Sequence, residues 1–199
     1  MVERRRGISE SMRNMNRKAA APDGGGWLTD LNPAMDGYRP WLAETGSLTA
    51  RIQRACPAYA PFAVRRLSQG WGHPCADEYP ALSLRPGRLA QVREVLLQSG
   101  ASPVVFAHTV VLGYSGCALA RVGGRSLGSV LFSDPQVLAG PLRYRCLDAR
   151  HALYHRALAW CGAASPRRFW ARRALFRRGP GCLLVTEVFL PAILDLHPR

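Results

Sequence analysis

Arg88–Gly113 reads RLAQVREVLLQSGASPVVFAHTVVLG, and its interpretation decides the fold. The second half is the plainer one. Val104 to Val111 is β-branched and aromatic, with Pro103 before it and Gly113 after it, which is the composition of a strand. The first half admits two readings. Leu89, Val92, Val95 and Leu96 fit the spacing of a helix, whereas Arg93, Val95 and Leu97 share one face of a strand, and periodicity does not decide between them. If this half is a strand, the short QSGAS connection makes the pair a hairpin and places the basic Arg93 inside an antiparallel sheet.

The carboxy-terminal stretch LLVTEVFLPA, Leu183 to Ala192, poses the complementary problem. As a strand it puts Glu187 on the face of Leu183, Val185 and Phe189, with Thr186 on the face of Leu184, Val188 and Leu190. Both faces are apolar. A buried carboxylate costs several kcal/mol unless it is paired, hydrogen-bonded or protonated. Arg93 and Glu187 each interrupt an apolar strand with opposite charge, so they are either a structural ion pair or two parts of a ligand site. An arginine fork matches a carboxylate bidentately, and a carboxyl group in an apolar cavity has its pKa pushed up and can shuttle a proton.

Between these strands the chain is mixed. After the Gly24–Gly26 hinge, Ser47 is placed to cap a short helix carrying Leu48, Ile52 and Ala55, which Pro57 stops. Phe62 to Gln69 reads as a strand, and WGHPCADEYP as a loop because of its breakers. GGRSLGSVLFSDP reads as a glycine-rich loop entering a helix near Leu127, a turn that presents free backbone amides. ARHALYHRALAWCG has the pattern of an amphipathic helix, and SPRRFWARRALFRRGPG is an arginine-rich strand or helix followed by a turn. Strands and helices without regular alternation define an α+β domain on an antiparallel sheet.

The 199 residues suit one domain, and 48% hydrophobic with 20% charged residues is a globular composition. No apolar run reaches the roughly 18 residues that span a bilayer. The first 26 residues are polar and charged, with no secretory h-region, and are read as a disordered basic tail ahead of a domain covering 27–199. The six cysteines form no CxxC pair and are read as reduced and structural. Twenty-seven Lys and Arg against 13 Asp and Glu leave a formal charge of +14, which suits nucleic acid, an acidic membrane surface, steering of a small anion, or plain solvation.

Most other constellations point nowhere. His73, His108, His151, His155 and His197 have no metal-ligand spacing, although His108 stands on the central strand. No GxSxG surrounds a serine, and GGRSLG lacks the lysine of a P-loop. Arg167, Arg168, Arg172, Arg173, Arg177 and Arg178 interleave with Phe169, Trp170 and Phe176 as in a nucleic-acid binder, but a solvated edge strand or a cationic lid explains them better.

The pieces GSLTARI, VREVLL, FAHTVV, GGRSLGSVLF, WARRALF and LLVTEVFLPA occur in the order found in bacterial chorismate pyruvate-lyases, and over most of Trp41 to Ala192 the chain resembles that family. The resemblance implies a single α+β domain with a six-stranded antiparallel sheet and helical flaps over an internal ligand cavity, and it makes VREVLL a strand. It implies an enzyme that eliminates pyruvate from chorismate to give 4-hydroxybenzoate, the first committed step of ubiquinone synthesis, with no metal and no cofactor. It further implies contacts through Arg93, Glu187 and the main chain at Leu48 and Leu127. Arg93 and the turn amides hold the ring carboxylate, and Glu187 meets the ring hydroxyl. The expected protein is cytoplasmic and monomeric, binds no nucleic acid, and associates at most weakly with a membrane surface. The competing expectation is a non-catalytic domain that senses small aromatic anions, as the effector domains of bacterial transcription regulators do. Relatives usually carry arginine where this chain has His108, and the Leu142–Pro166 region is longer than in compact members.

Overall fold

A computed structural model describes residues 26–31, 33–113, 135–162 and 166–197. The tail before Gly26, Cys117 and the GGRSLG segment with Leu127 lie outside the described residues. The ambiguous half of Arg88–Gly113 is a strand. β1 (Phe62–Gly72) pairs with β2 (Ala90–Ser99), which turns into β3 (Ser102–Leu112). The turn is two residues long because Gly100 adopts φ +56°, a left-handed conformation that glycine takes without steric cost.

Two short strands, β4 (Leu138–Ala139) and β5 (Arg143–Leu147), precede the long hairpin of β6 (Phe169–Arg178) and β7 (Gly181–Phe189). All seven strands form one antiparallel sheet in the order β1-β2-β3-β7-β6-β4, with β5 also pairing with β6. β4 and β5 lie end to end along β6, opposite Phe176–Arg177 and Phe169–Arg173 respectively, so seven strands fill six ranks. The arginine-rich segment is therefore an interior strand. Its expected place at a solvated edge is corrected by the pairing on both sides.

Helices cover both faces. Ser47 caps α2 (Leu48–Ala55) through Oγ, which accepts from the Ala50 N–H at 3.2 Å. With α1 (Arg39–Leu42), α2 buries Trp41, Leu42, Leu48 and Ile52 against Val95, Leu97, Val105 and Phe189. On the opposite face, α4 (Ala152–Leu158) buries Leu153, Tyr154 and Ala157 against Leu96, Phe106, Phe169 and Val188. The loop expected at WGHPCADEYP contains one helical turn, α3 (Glu78–Ala81). Pro80 is tolerated there because amides in a first turn have no intrahelical partner.

Strand register sorts the polar residues between the faces. Arg93 pairs with Thr109, Thr109 with Val185, and Val185 with Ala174, while Glu187 lies opposite Ala107 and Arg172. Partners in register point the same way, so Arg93, Glu187 and Arg172 share the α1–α2 face. Glu94, His108 and Arg173 point to the α4 face. The sheet thus divides two polar centres.

Candidate active site

On the α1–α2 face a cleft opens between the start of α2 and the β6–β7 hairpin. Glu44, Leu48 and Thr49 line one wall, Arg172, Val185 and Glu187 another, and the link from β4 to β5 closes it with Ala139, Gly140 and Leu142. The N-terminal end of α2 brings its first-turn amides to this cleft, where a helix favours negative charge.

Glu187 answers for its place in an apolar strand through Arg172. Arg172 Nε donates to Glu187 Oε2 at 2.6 Å, with the two side chains 4% and 19% exposed. The same guanidinium donates through Nη1 to the carbonyls of Trp41 and Leu42, each at 3.3 Å, and to that of Glu44. It also lies over the Phe189 ring at 5.9 Å. One arginine therefore ties the strand that carries Glu187 to the segment entering α2.

That segment is fixed by Glu44 as well. Its carboxylate accepts from the Gly46 N–H at 2.7 Å and from Arg51 at 2.8 Å. Desolvation raises its pKa, but these bonds and the Arg51 and Arg172 charges outweigh it and hold the group below the usual glutamate value. A cleft wall made of a short loop is ordered by two charged anchors.

The expected site residues fall as follows. Leu48 and Glu187 line the cleft. Arg93 is buried on the same face, two strands from β7 and one residue pair further along. Burial and the neighbouring Arg66 charge both push Arg93 below its ordinary pKa, so the region near it favours an anion. Leu127 lies outside the described residues. Arg172, assigned from sequence to a solvated or lid-forming cluster, is the partner of Glu187. The available signal was its position inside the apolar run FWARRALF, where an arginine needs an acid as much as Glu187 needs a base.

The opposite face holds a second polar centre. His108 is fully buried, and its Nδ1 donates to Glu94 Oε1 at 3.0 Å and its Nε2 to Glu78 Oε2 at 3.2 Å. Arg156 also donates to Glu94, at 2.7 Å. Burial disfavours the imidazolium, but the bonds and charges of Glu78 and Glu94 outweigh it and raise the His108 pKa to about 9. Beside it Asp77 accepts from Trp27 at 2.7 Å, His151 at 3.2 Å and Arg173 at 3.1 Å. Desolvation opposes ionisation of Asp77, yet the His151 and Trp27 hydrogen bonds and the His151 and Arg173 charges lower it to about 2. Arg173 also stacks on Trp27, 4.3 Å from the ring centre.

The sign of the His108 shift sets a pH dependence. A folded pKa raised from 6.5 to about 9 contributes stability that is complete below 6.5 and lost as the pH rises through 9. In the presence of a chelator, denaturant titrations should show the wild-type advantage over His108→Gln at about 3 kcal/mol near pH 6, shrinking towards zero by pH 10. A pH-independent difference between the two proteins excludes this linkage.

Fold and cleft define an α+β domain with a guanidinium-braced carboxylate at the wall of a cleft. The profile of the chorismate lyase family matches residues 27–197, and the chain belongs to that family, which makes it a lyase. It is 46% identical over 166 residues to a protein of Aromatoleum aromaticum named "Probable chorismate pyruvate-lyase", covering 79% of this chain and 86% of that one. A protein of the same name from Nitrosospira multiformis is 44% identical over 177 residues, covering 85% and 97%. Among solved structures the chain is similar to the effector domain of PhnF from Mycobacterium smegmatis, with TM-score 0.50 and 14% identity over 74% of this chain and 90% of that domain. That likeness is one of fold alone. No helix among the described residues is long and apolar enough to cross a membrane.

Proposed function

We propose that the chain converts chorismate to 4-hydroxybenzoate and pyruvate in the α1–α2 face cleft, as the first committed step of ubiquinone synthesis. The observation that carries this reading is the Glu187 carboxylate held at the cleft wall by Arg172. In the reaction the C–O bond to the enolpyruvyl group and the C–H bond at the hydroxyl-bearing ring carbon break, the ring becomes aromatic, and the proton ends on the methylene carbon that becomes the methyl of pyruvate. Aromatisation drives it, so the protein's task is positioning in a water-poor site.

Arg93 and the main chain at Leu48 and Leu127 take the ring carboxylate, and Glu187 takes the ring hydroxyl. Two strand spacings of about 4.8 Å separate β2 from β7. This span supports the assignment, since a para-substituted benzoate carries its polar groups at opposite ends of a rigid ring. Glu187 keeps one carboxylate oxygen on Arg172 Nε, which fixes the orientation of the other. The enzyme works as a cytoplasmic monomer on this reading.

Purified protein mixed with chorismate should release 4-hydroxybenzoate and pyruvate in equal amounts. Folded protein that binds 4-hydroxybenzoate and yields no product instead supports the anion-sensing reading. Arg93→Ala is expected to weaken 4-hydroxybenzoate binding by about 10- to 100-fold, through loss of a charge-assisted bond worth about 1.5–3 kcal/mol. Unchanged affinity by titration calorimetry removes Arg93 from the carboxylate subsite.

A further inference from the structure

We propose that Cys75, Glu78 and His108 form a binding site for one borderline divalent cation of the zinc class, on the face of the sheet opposite the catalytic cleft. The Cys75 thiol, a Glu78 carboxylate oxygen and a His108 ring nitrogen lie within 4.8 Å of one another, and all three residues are buried. Sulfur, imidazole and carboxylate together are a donor set suited to zinc.

The geometry is close to what such an ion requires. Tetrahedral coordination at zinc distances sets neighbouring nitrogen and oxygen ligands roughly 3.3 Å apart, and sulfur roughly 3.6 Å from either. His108 Nε2 and Glu78 Oε2 are already 3.2 Å apart, so only the thiol is left to close in, by at most about an ångström. The ion takes the place of the proton on Nε2. The ring is held for this: its Nδ1 donates to Glu94, which is anchored in turn by Arg156. A carboxylate behind the distal nitrogen of a ligating histidine fixes tautomer and orientation in metal sites.

A second observation points to a ligand. Glu78 is 1% exposed, and while its Oε2 accepts from the Cys75 N–H at 2.7 Å and from His108, its Oε1 is buried with no hydrogen-bond partner. An unsatisfied buried carboxylate oxygen is costly. In bidentate coordination that oxygen supplies the fourth contact. A surface recess lined by Cys75, Asp77 and His151 adjoins the site on this face of the sheet. The site lies behind the sheet from Glu187, so its role is structural: it ties the Cys75–Glu78 turn to β3.

The test uses the full chain, stripped with chelator and titrated with Co²⁺ and then Zn²⁺ at pH 8. The expected result is one equivalent bound, a near-ultraviolet thiolate-to-cobalt charge-transfer band that Zn²⁺ displaces, and a raised Tm. Cys75→Ser should abolish the band, and Glu94→Gln should weaken binding by about 10- to 100-fold. A variant with Cys56, Cys117, Cys146, Cys161 and Cys182 all replaced by serine should keep the band, which tests the site even if Cys75→Ser does not fold. No band in the wild type, a band that survives Cys75→Ser, or its loss in the five-serine variant overturns the proposal.

Discussion

Glu187→Ala is expected to lower kcat by about 10³-fold or more while the protein stays folded. A positioned proton-transfer group contributes typically about 10²–10⁴-fold, and the charge proposed to face the ring hydroxyl is expected to add to it. The fold should survive because Arg172, though it loses the carboxylate, keeps the carbonyls of Trp41, Leu42 and Glu44. Glu187→Gln separates the two contributions. It retains an acceptor for Arg172 and for the hydroxyl but cannot exchange a proton, so a rate near that of wild type assigns Glu187 to orientation alone. Chorismate turnover with circular dichroism on the same samples is the measurement, and wild-type turnover in Glu187→Ala ends the role proposed for this residue.

Arg172→Ala should have the largest effect on stability. It removes the ion pair with Glu187 and takes one donor from each of the Trp41, Leu42 and Glu44 carbonyls of the α1–α2 segment. Breaking a buried pair from one side costs about 3–5 kcal/mol. Denaturant unfolding should register that loss, and kcat should fall with it because both Glu187 and the Leu48 wall lose their anchor. Arg172→Lys is the informative companion. A lysine keeps the charge but cannot serve the carboxylate and several carbonyls in one plane, so stability should recover in part while activity stays low. Arg172→Ala with unchanged midpoint and kcat contradicts the anchoring described here.

The second strand of the β2–β3 hairpin was legible because local chemistry agrees with the fold, whereas its first strand was left open by periodicity and followed only from the family resemblance. Val104–Val111 is β-branched, and Gly100 supplies the turn. Ser47 likewise announces α2 through a contact only three residues away. Arg172 and Arg173 were not legible. In sequence they belong to a charge run, but adjacent strand residues point to opposite faces, so each is buried in a different half of the protein. Arg172 finds Glu187 at 2.6 Å, and Arg173 finds Asp77 at 3.1 Å and the Trp27 ring. Asp77 was hidden for the same reason, with its partners Trp27 and His151 lying 50 and 74 residues away. Such pairings depend on which strands become neighbours, and short windows of sequence do not carry that. The Arg93–Glu187 relation was legible in half: the shared face follows from alternation, whereas the direct partner of Glu187 comes from a strand that sequence periodicity left undecided.

The outer edge of β1 is bordered by no other strand among the described residues. Eleven residues of open backbone invite pairing with another polypeptide, the first step of strand-mediated aggregation. β1 answers with a register break between Arg66 and Ser68 and with exposed Arg65 and Arg66 side by side. The bulge bends the ladder away from a flat template, and two cations must be brought against two more if a second copy approaches. Part of the +14 charge is then a matter of colloidal behaviour rather than of recognition. Replacing Arg65, which pairs with Leu96 and so faces away from the cleft, should leave chemistry there untouched and show itself in the concentration at which the protein stays in solution.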